Sequence, residues 1–98
     1  MSVLLVEDDI SIAIVITAAL EDEGFSVVHC QTIGERDRLL DESSFEALVT
    51  DVMLPDGDGI ETIGRVRDQH PAMPIIILSA QNTLDTAVRA SDTGAFEY

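Results

Sequence analysis

Apolar residues fall along this chain in two kinds of run, and the two kinds alternate. Val3-Leu4-Leu5-Val6 is continuous, the pattern of a strand buried on both faces, and it ends abruptly in Glu7, Asp8 and Asp9. Beyond the acids, Ile12, Val15, Ile16, Ala19 and Leu20 recur at helical spacing, with Asp9 or Ser11 as cap and Gly24 as stop. Phe25 to Cys30 predicts a second strand, more polar at its edges, and a helix follows from Thr32 through Leu39, Leu40 and Asp41, weakened by Gly34 near its start. Ala47-Leu48-Val49 predicts a third buried strand, which delivers Asp51 just where Pro55, Gly57 and Gly59 force a loop. From Gly59 to Gln69 the spacing predicts a helix with Ile60, Ile63 and Val66 inward, and Gly64 inside it is expected to serve close packing. Pro71 and Pro74 bracket a loop, and Ile75-Ile76-Ile77-Leu78 then predicts the most apolar strand, ending at Ser79. Leu84, Ala87, Val88 and Ala90 or Ser91 predict a further helix stopped by Gly94, and Ala95-Phe96-Glu97-Tyr98 opens a fifth strand.

Strands alternating with helical patterns at short connections are the signature of βαβ units, so the expected fold class is α/β, a doubly wound parallel sheet in one domain over residues 1–98. Such a sheet needs a helix behind its final strand; none follows Tyr98, so the chain is expected to be incomplete at its C-terminus. Hydrophobic residues make up 46% of the chain, mostly Ile, Leu, Val and Ala, which suits a sheet covered by helices and argues against disorder. A formal charge of −14 with five basic residues argues against direct binding to nucleic acid or to an anionic membrane and favours cations and basic partners. Cys30 is the single cysteine, so a disulfide framework is excluded, and it is expected to be a small buried hydrophobe. With no apolar run long enough to span a bilayer and no secretory signal pattern, a cytoplasmic protein is expected.

In open parallel sheets, ligands sit outside the carboxyl ends of the strands. If the first, third and fourth strands are neighbours, Glu7, Asp8, Asp51 and Ser79 converge at that edge. Three carboxylates so close repel one another, and a divalent cation or shared protons must offset the charge. Oxygen ligands without nearby His or Cys favour a hard ion such as Mg²⁺, held by carboxylates and phosphate oxygens. Asp51 is the candidate nucleophile, because a carboxylate can accept a phosphoryl group to form an acyl phosphate, with Ser79 and the cation stabilising the transferred oxygens. Glu35, Arg36, Asp37 and Arg38 read as a solvated face, His29 and His70 as structural, and Asp56 and Asp58 as residues that shape a turn rather than ligate calcium.

Leu4-Leu5-Val6-Glu7-Asp8-Asp9, the loop from Asp51 to Gly59, Ile76-Ile77-Leu78-Ser79-Ala80 and Gly94-Ala95-Phe96-Glu97-Tyr98 together resemble the receiver domain of two-component response regulators, over essentially the whole chain. The resemblance implies a flavodoxin-like strand order 2-1-3-4-5, and a phosphorelay in which Asp51 accepts phosphate from a histidine of a sensor histidine kinase. It implies that Asp8 binds Mg²⁺ directly and Glu7 through water, joined by Asp51 and the backbone carbonyl of Met53. Ser79 would be the switch hydroxyl and Tyr98 the aromatic that turns inward behind it, while the side chains at Met53 and Gln81 would modulate the lifetime of the acyl phosphate. The segment from Ala80 to Leu84, with the final Ala95-Phe96-Glu97-Tyr98, further resembles nitrogen-regulation transcription activators, which implies an output domain controlling transcription and a homodimer through the receiver. Receivers carry a lysine shortly after the fifth strand's aromatic, and the chain stops at Tyr98 before reaching it.

Two other classes compete. A haloacid-dehalogenase-like phosphatase also uses a strand-end Asp with Mg²⁺, but it needs a second acid two residues on, where this chain has Met53. A nucleotide or flavin binder would need a glycine- or hydroxyl-rich loop after the first strand, where Glu7-Asp8-Asp9 would repel a phosphate.

Overall fold

In the computed structural model of the chain, residues 1–78 and 96–97 are described. Inside the sheet lies β1 (Ser2–Val6), whose residues from Val3 to Val6 are all at most 2% exposed because helices cover both faces of the sheet. It pairs in parallel with β2 (Ser26–Cys30) on one side and with β3 (Ala47–Asp51) on the other. Outward from β3 follow β4 (Ile75–Leu78) and β5 (Phe96–Glu97), again parallel, so the order is the expected 2-1-3-4-5. The expected further helix between β4 and β5 lies outside the described residues.

Helix α1 (Ile10–Asp22) packs on the face carrying Val3, Leu5 and Val49. Helices α2 (Ile33–Glu42) and α3 (Ile63–Gln69) cover the other face, where Leu40, Ile63 and Val66 meet Leu4, Val6, Leu48, Ile75 and Ile77. This alternation of β1 side chains between two cores follows from the period of two along a strand. Asp9 caps α1 by accepting from the Ile12 amide at 3.2 Å, and Gly24, at φ +93°, takes the left-handed turn that ends it. Thr32 caps α2 by accepting from the Glu35 amide at 3.1 Å, while its hydroxyl donates to the Glu35 carboxylate at 3.3 Å.

Four expectations are corrected. The buried side of α1 is Ala13, flanked by the half-buried Ile16 and Leu20, whereas Ile12, Val15 and Ala19 are exposed. Apolar residues occur all round this helix, so their spacing could not choose the face. The helix expected from Gly59 starts at Ile63, because the Asp58 carboxylate accepts from the Ile60 amide at 2.8 Å and holds the chain in a turn. Gly64 does not serve close packing: a Cβ there would meet nothing within 4 Å. Arg36, read as solvated, is 0% exposed, and its guanidinium donates to Asp37 Oδ1 at 2.7 and 3.0 Å and to Thr62 Oγ1 at 2.8 Å.

Candidate functional site

The parallel register pairs Val6 with Thr50, so Glu7 and Asp51 leave the sheet side by side at the carboxyl ends of β1 and β3. Asp8 follows, and one carboxylate oxygen from each of Glu7, Asp8 and Asp51 lies within 4.8 Å of the others. Their environments differ. Asp8 is exposed and Asp51 half-buried, whereas Glu7 is 2% exposed. Burial, reinforced by the charges of Asp51 and Asp8, pushes the Glu7 carboxyl up to about 7, against the pull of the Asp9 amide that donates to Glu7 Oε1 at 3.1 Å. The Glu7 backbone is itself tied to β2, with its amide donating to the Cys30 carbonyl at 3.0 Å and its carbonyl bonded to His29 Nε2 at 2.7 Å. His29 is thus structural, as expected.

Asp51 is held from below and from the side. The buried Thr50 hydroxyl donates to the Asp51 carbonyl at 3.0 Å, and the Val52 amide donates to Asp51 Oδ1 at 2.7 Å, which sets the rotation of the carboxylate. Beyond it, Met53–Leu54 and Gly57–Asp58 form a short antiparallel hairpin separate from the main sheet. The hairpin folds back because the Gly59 amide donates to the Val52 carbonyl at 2.7 Å, and a Cβ on Gly59 would collide with the Asp51 carbonyl oxygen. Gly59 is therefore part of the site, and its signal in the sequence was the glycine ending the loop after Asp51. Met53 is 71% exposed, so its side chain faces solvent.

Three oxygen donors converging on one point, one of them buried at the cost of a raised pKa, suit a small hard divalent cation. The expected roles of Ser79, Gln81 and Tyr98 fall outside the described residues. Asp56, which lies in the hairpin turn as expected, also reaches to the start of α2, accepting from the Ile33 and Gly34 amides at 2.8 and 3.0 Å. Cys30 is buried, and burial pushes its thiol up to about 11, which makes it a packing residue and a poor nucleophile at neutral pH.

The family model for the response regulator receiver domain matches residues 3–98. The chain belongs to that receiver family. Among curated proteins, the receiver is 38% identical over 97 residues to the DNA-binding transcriptional regulator NtrC of Azospirillum brasilense, covering 99% of this chain and 20% of that protein. It therefore spans about a fifth of the length of the NtrC regulators it matches. Among solved structures, the beryllofluoride-activated NtrC4 receiver domain dimer is similar with a TM-score of 0.90 and 35% identity, over 98% of this chain and 81% of that one. A Burkholderia pseudomallei response regulator with a phosphorylated aspartic acid and a calcium ion is similar with a TM-score of 0.90 and 27% identity, over 99% and 57% of the two chains. These matches bear out the resemblance read from the sequence and the flavodoxin-like fold, and they give no support to the phosphatase alternative. Receivers are signalling domains rather than metabolic enzymes. Among the described residues, no helix is long and apolar enough to cross a membrane.

Proposed function

We propose that this receiver accepts a phosphoryl group on Asp51 from a phosphohistidine of a sensor histidine kinase, in a Mg²⁺-dependent reaction, and changes conformation to control an output. The observation that carries the proposal is the convergence of Glu7, Asp8 and Asp51 within 4.8 Å at the carboxyl edge of the sheet. A carboxylate oxygen of Asp51 bonds to phosphorus as the bond from phosphorus to the imidazole nitrogen breaks, and the imidazole leaves. The Val52 amide keeps the carboxylate oriented for that attack. Glu7, Asp8, Asp51 and the Met53 carbonyl would hold Mg²⁺, which when bound offsets the negative charge gathered around the incoming phosphoryl group. Because Asp51 is itself modified, the receiver acts as a switch and does not turn over an external substrate.

Ser79 and Tyr98 complete the proposal as switch hydroxyl and switch aromatic, on the pattern of the family. The output is transcription and the setting a cytoplasmic nitrogen-regulation pathway, supported by the likeness to NtrC regulators. Dimerisation through the receiver is supported by the NtrC4 receiver dimer. Intact mass after incubation with acetyl phosphate tests the central step. One phosphoryl group is gained only with Mg²⁺; Asp51→Asn abolishes the gain and Asp8→Asn raises the Mg²⁺ needed. Uptake of hydroxylamine-sensitive phosphate by Asp51→Asn at the wild-type level would refute the assignment.

A further inference from the structure

Asp51 is fixed by the sheet, but Met53 belongs to the hairpin, and the hairpin is not part of that sheet. Besides the bond from Gly59 to Val52 and the burial of Leu54 in the core, α2 holds it at two points. At the hairpin turn, both carboxylate oxygens of Asp56 accept from the first free amides of α2, those of Ile33 and Gly34, across more than twenty residues of chain. The fit is close: Gly57, at φ +147°, lies over the Ile33 side chain, and a Cβ on Gly34 would touch Asp56 Oδ2 at 3.6 Å. At the far end of the same loop, the buried Arg36 guanidinium donates to the Thr62 hydroxyl at 2.8 Å. Thr62 is the N-cap residue of α3, and its side chain makes no cap bond; its hydroxyl oxygen instead accepts from Arg36.

The arrangement around Arg36 is a poor source of stability. Its Nη1 is buried with no hydrogen-bond partner, and the carboxylate it meets, Asp37, is shared with Arg65 at 2.6 Å. Removing one member of a buried ion pair is costly chiefly when the other is left buried and unpaired, and Asp37 is partly exposed. Removing Arg36 would leave Asp37 its second arginine, Arg65.

We propose that Asp56 and Arg36 are positioning residues: together they clamp the loop from Val52 to Thr62 onto α2 and thereby hold the Met53 carbonyl in register with Glu7, Asp8 and Asp51. This rests on the Mg²⁺-dependent phosphoryl-acceptor reading above.

The experiment uses the intact protein and three readouts: Mg²⁺ affinity by calorimetry, amide hydrogen exchange across residues 52–62, and the urea midpoint. Asp56→Ala and Arg36→Met are each expected to weaken Mg²⁺ binding about tenfold, the lower end of what removing an outer-shell partner costs. Both speed exchange across the loop, and Arg36→Met keeps its urea midpoint. Asp56→Asn recovers part of the affinity, since its amide oxygen still accepts from the Ile33 amide. Leu20→Ala, on the opposite face of the sheet, is the control that loses stability and keeps Mg²⁺ affinity. The proposal is overturned if the clamp variants bind Mg²⁺ as the wild type does, whatever their exchange, or if Leu20→Ala weakens Mg²⁺ equally. A wild type that binds no Mg²⁺ and takes no phosphate from acetyl phosphate overturns the underlying reading instead, an outcome visible before any variant is made.

Discussion

Glu7 is where the demands of folding and of cation binding oppose each other. Its carboxyl is buried beside two others, and its pKa rises from 4.5 to about 7. Between those values the folded chain keeps a proton that the unfolded chain has released. Stability of the cation-free protein is therefore greatest at low pH within that window and falls as pH rises through it, levelling off above about 7, with a total loss on the order of 3 kcal/mol. Urea midpoints without Mg²⁺ are expected to drop between about pH 5 and pH 8, and Glu7→Gln to flatten the profile. Because the cation requires the ionised carboxylate, Mg²⁺ affinity in the wild type rises with pH over the same range, and calorimetry at several pH values checks it. If the midpoint is flat in the wild type, Glu7 is not held protonated in the folded chain. Glu7, Asp8 and Asp51 were legible as residues from the acid endings of two apolar runs; that one of the three is buried was not, because burial depends on what β2 and the loop after β3 place around it.

At the scale of elements, α1 and α3 show where periodicity stops being informative. In α1, Ile10, Ile12, Ile14 and Val15 are 45–68% exposed while Ala13 is 3% exposed, so the small residue, not the large ones, marks the contact with the sheet. A larger side chain at Ala13 has no room, and Ala13→Leu is expected to cost about 1–3 kcal/mol by overpacking. Ile14→Lys, by contrast, should stay within about 0.5 kcal/mol of the wild type, as surface changes do. Urea denaturation of the two variants decides it, and the reverse ranking would mean that α1 does not pack on the sheet through Ala13. In α3, Ile60, Ile63 and Val66 are all buried as their spacing predicted, yet the helix takes in the last two alone. Apolar spacing reports which side chains go inward, whereas the start of the helix was decided by the Asp58 carboxylate bonding the Ile60 amide.

For the molecule as a whole, a charge of −14 on 98 residues makes self-repulsion a general cost of the folded state. Added NaCl is expected to raise the melting temperature gradually by screening, through a Debye length of about 8 Å near physiological strength. On the proposed Mg²⁺ site, Mg²⁺ should act at far lower concentration and saturate, and Asp8→Asn should remove that saturating part and leave the gradual one. Equal effects of NaCl and Mg²⁺ at matched ionic strength would argue against a specific site. The sequence by itself determined the α/β architecture, the parallel strands and the acids at their ends, since strand and helix periods and the stop at Gly24 are local properties of the chain. It also determined the family, through motifs that each occupy a strand end and the loop after it. Only the tertiary structure decided that Arg36 is buried, that Asp56 grips α2, and that Gly59 must lack a Cβ beneath Asp51. Those outcomes arise where segments more than twenty residues apart, or the two ends of one loop, come into contact; no period or propensity within a single segment encodes its partner.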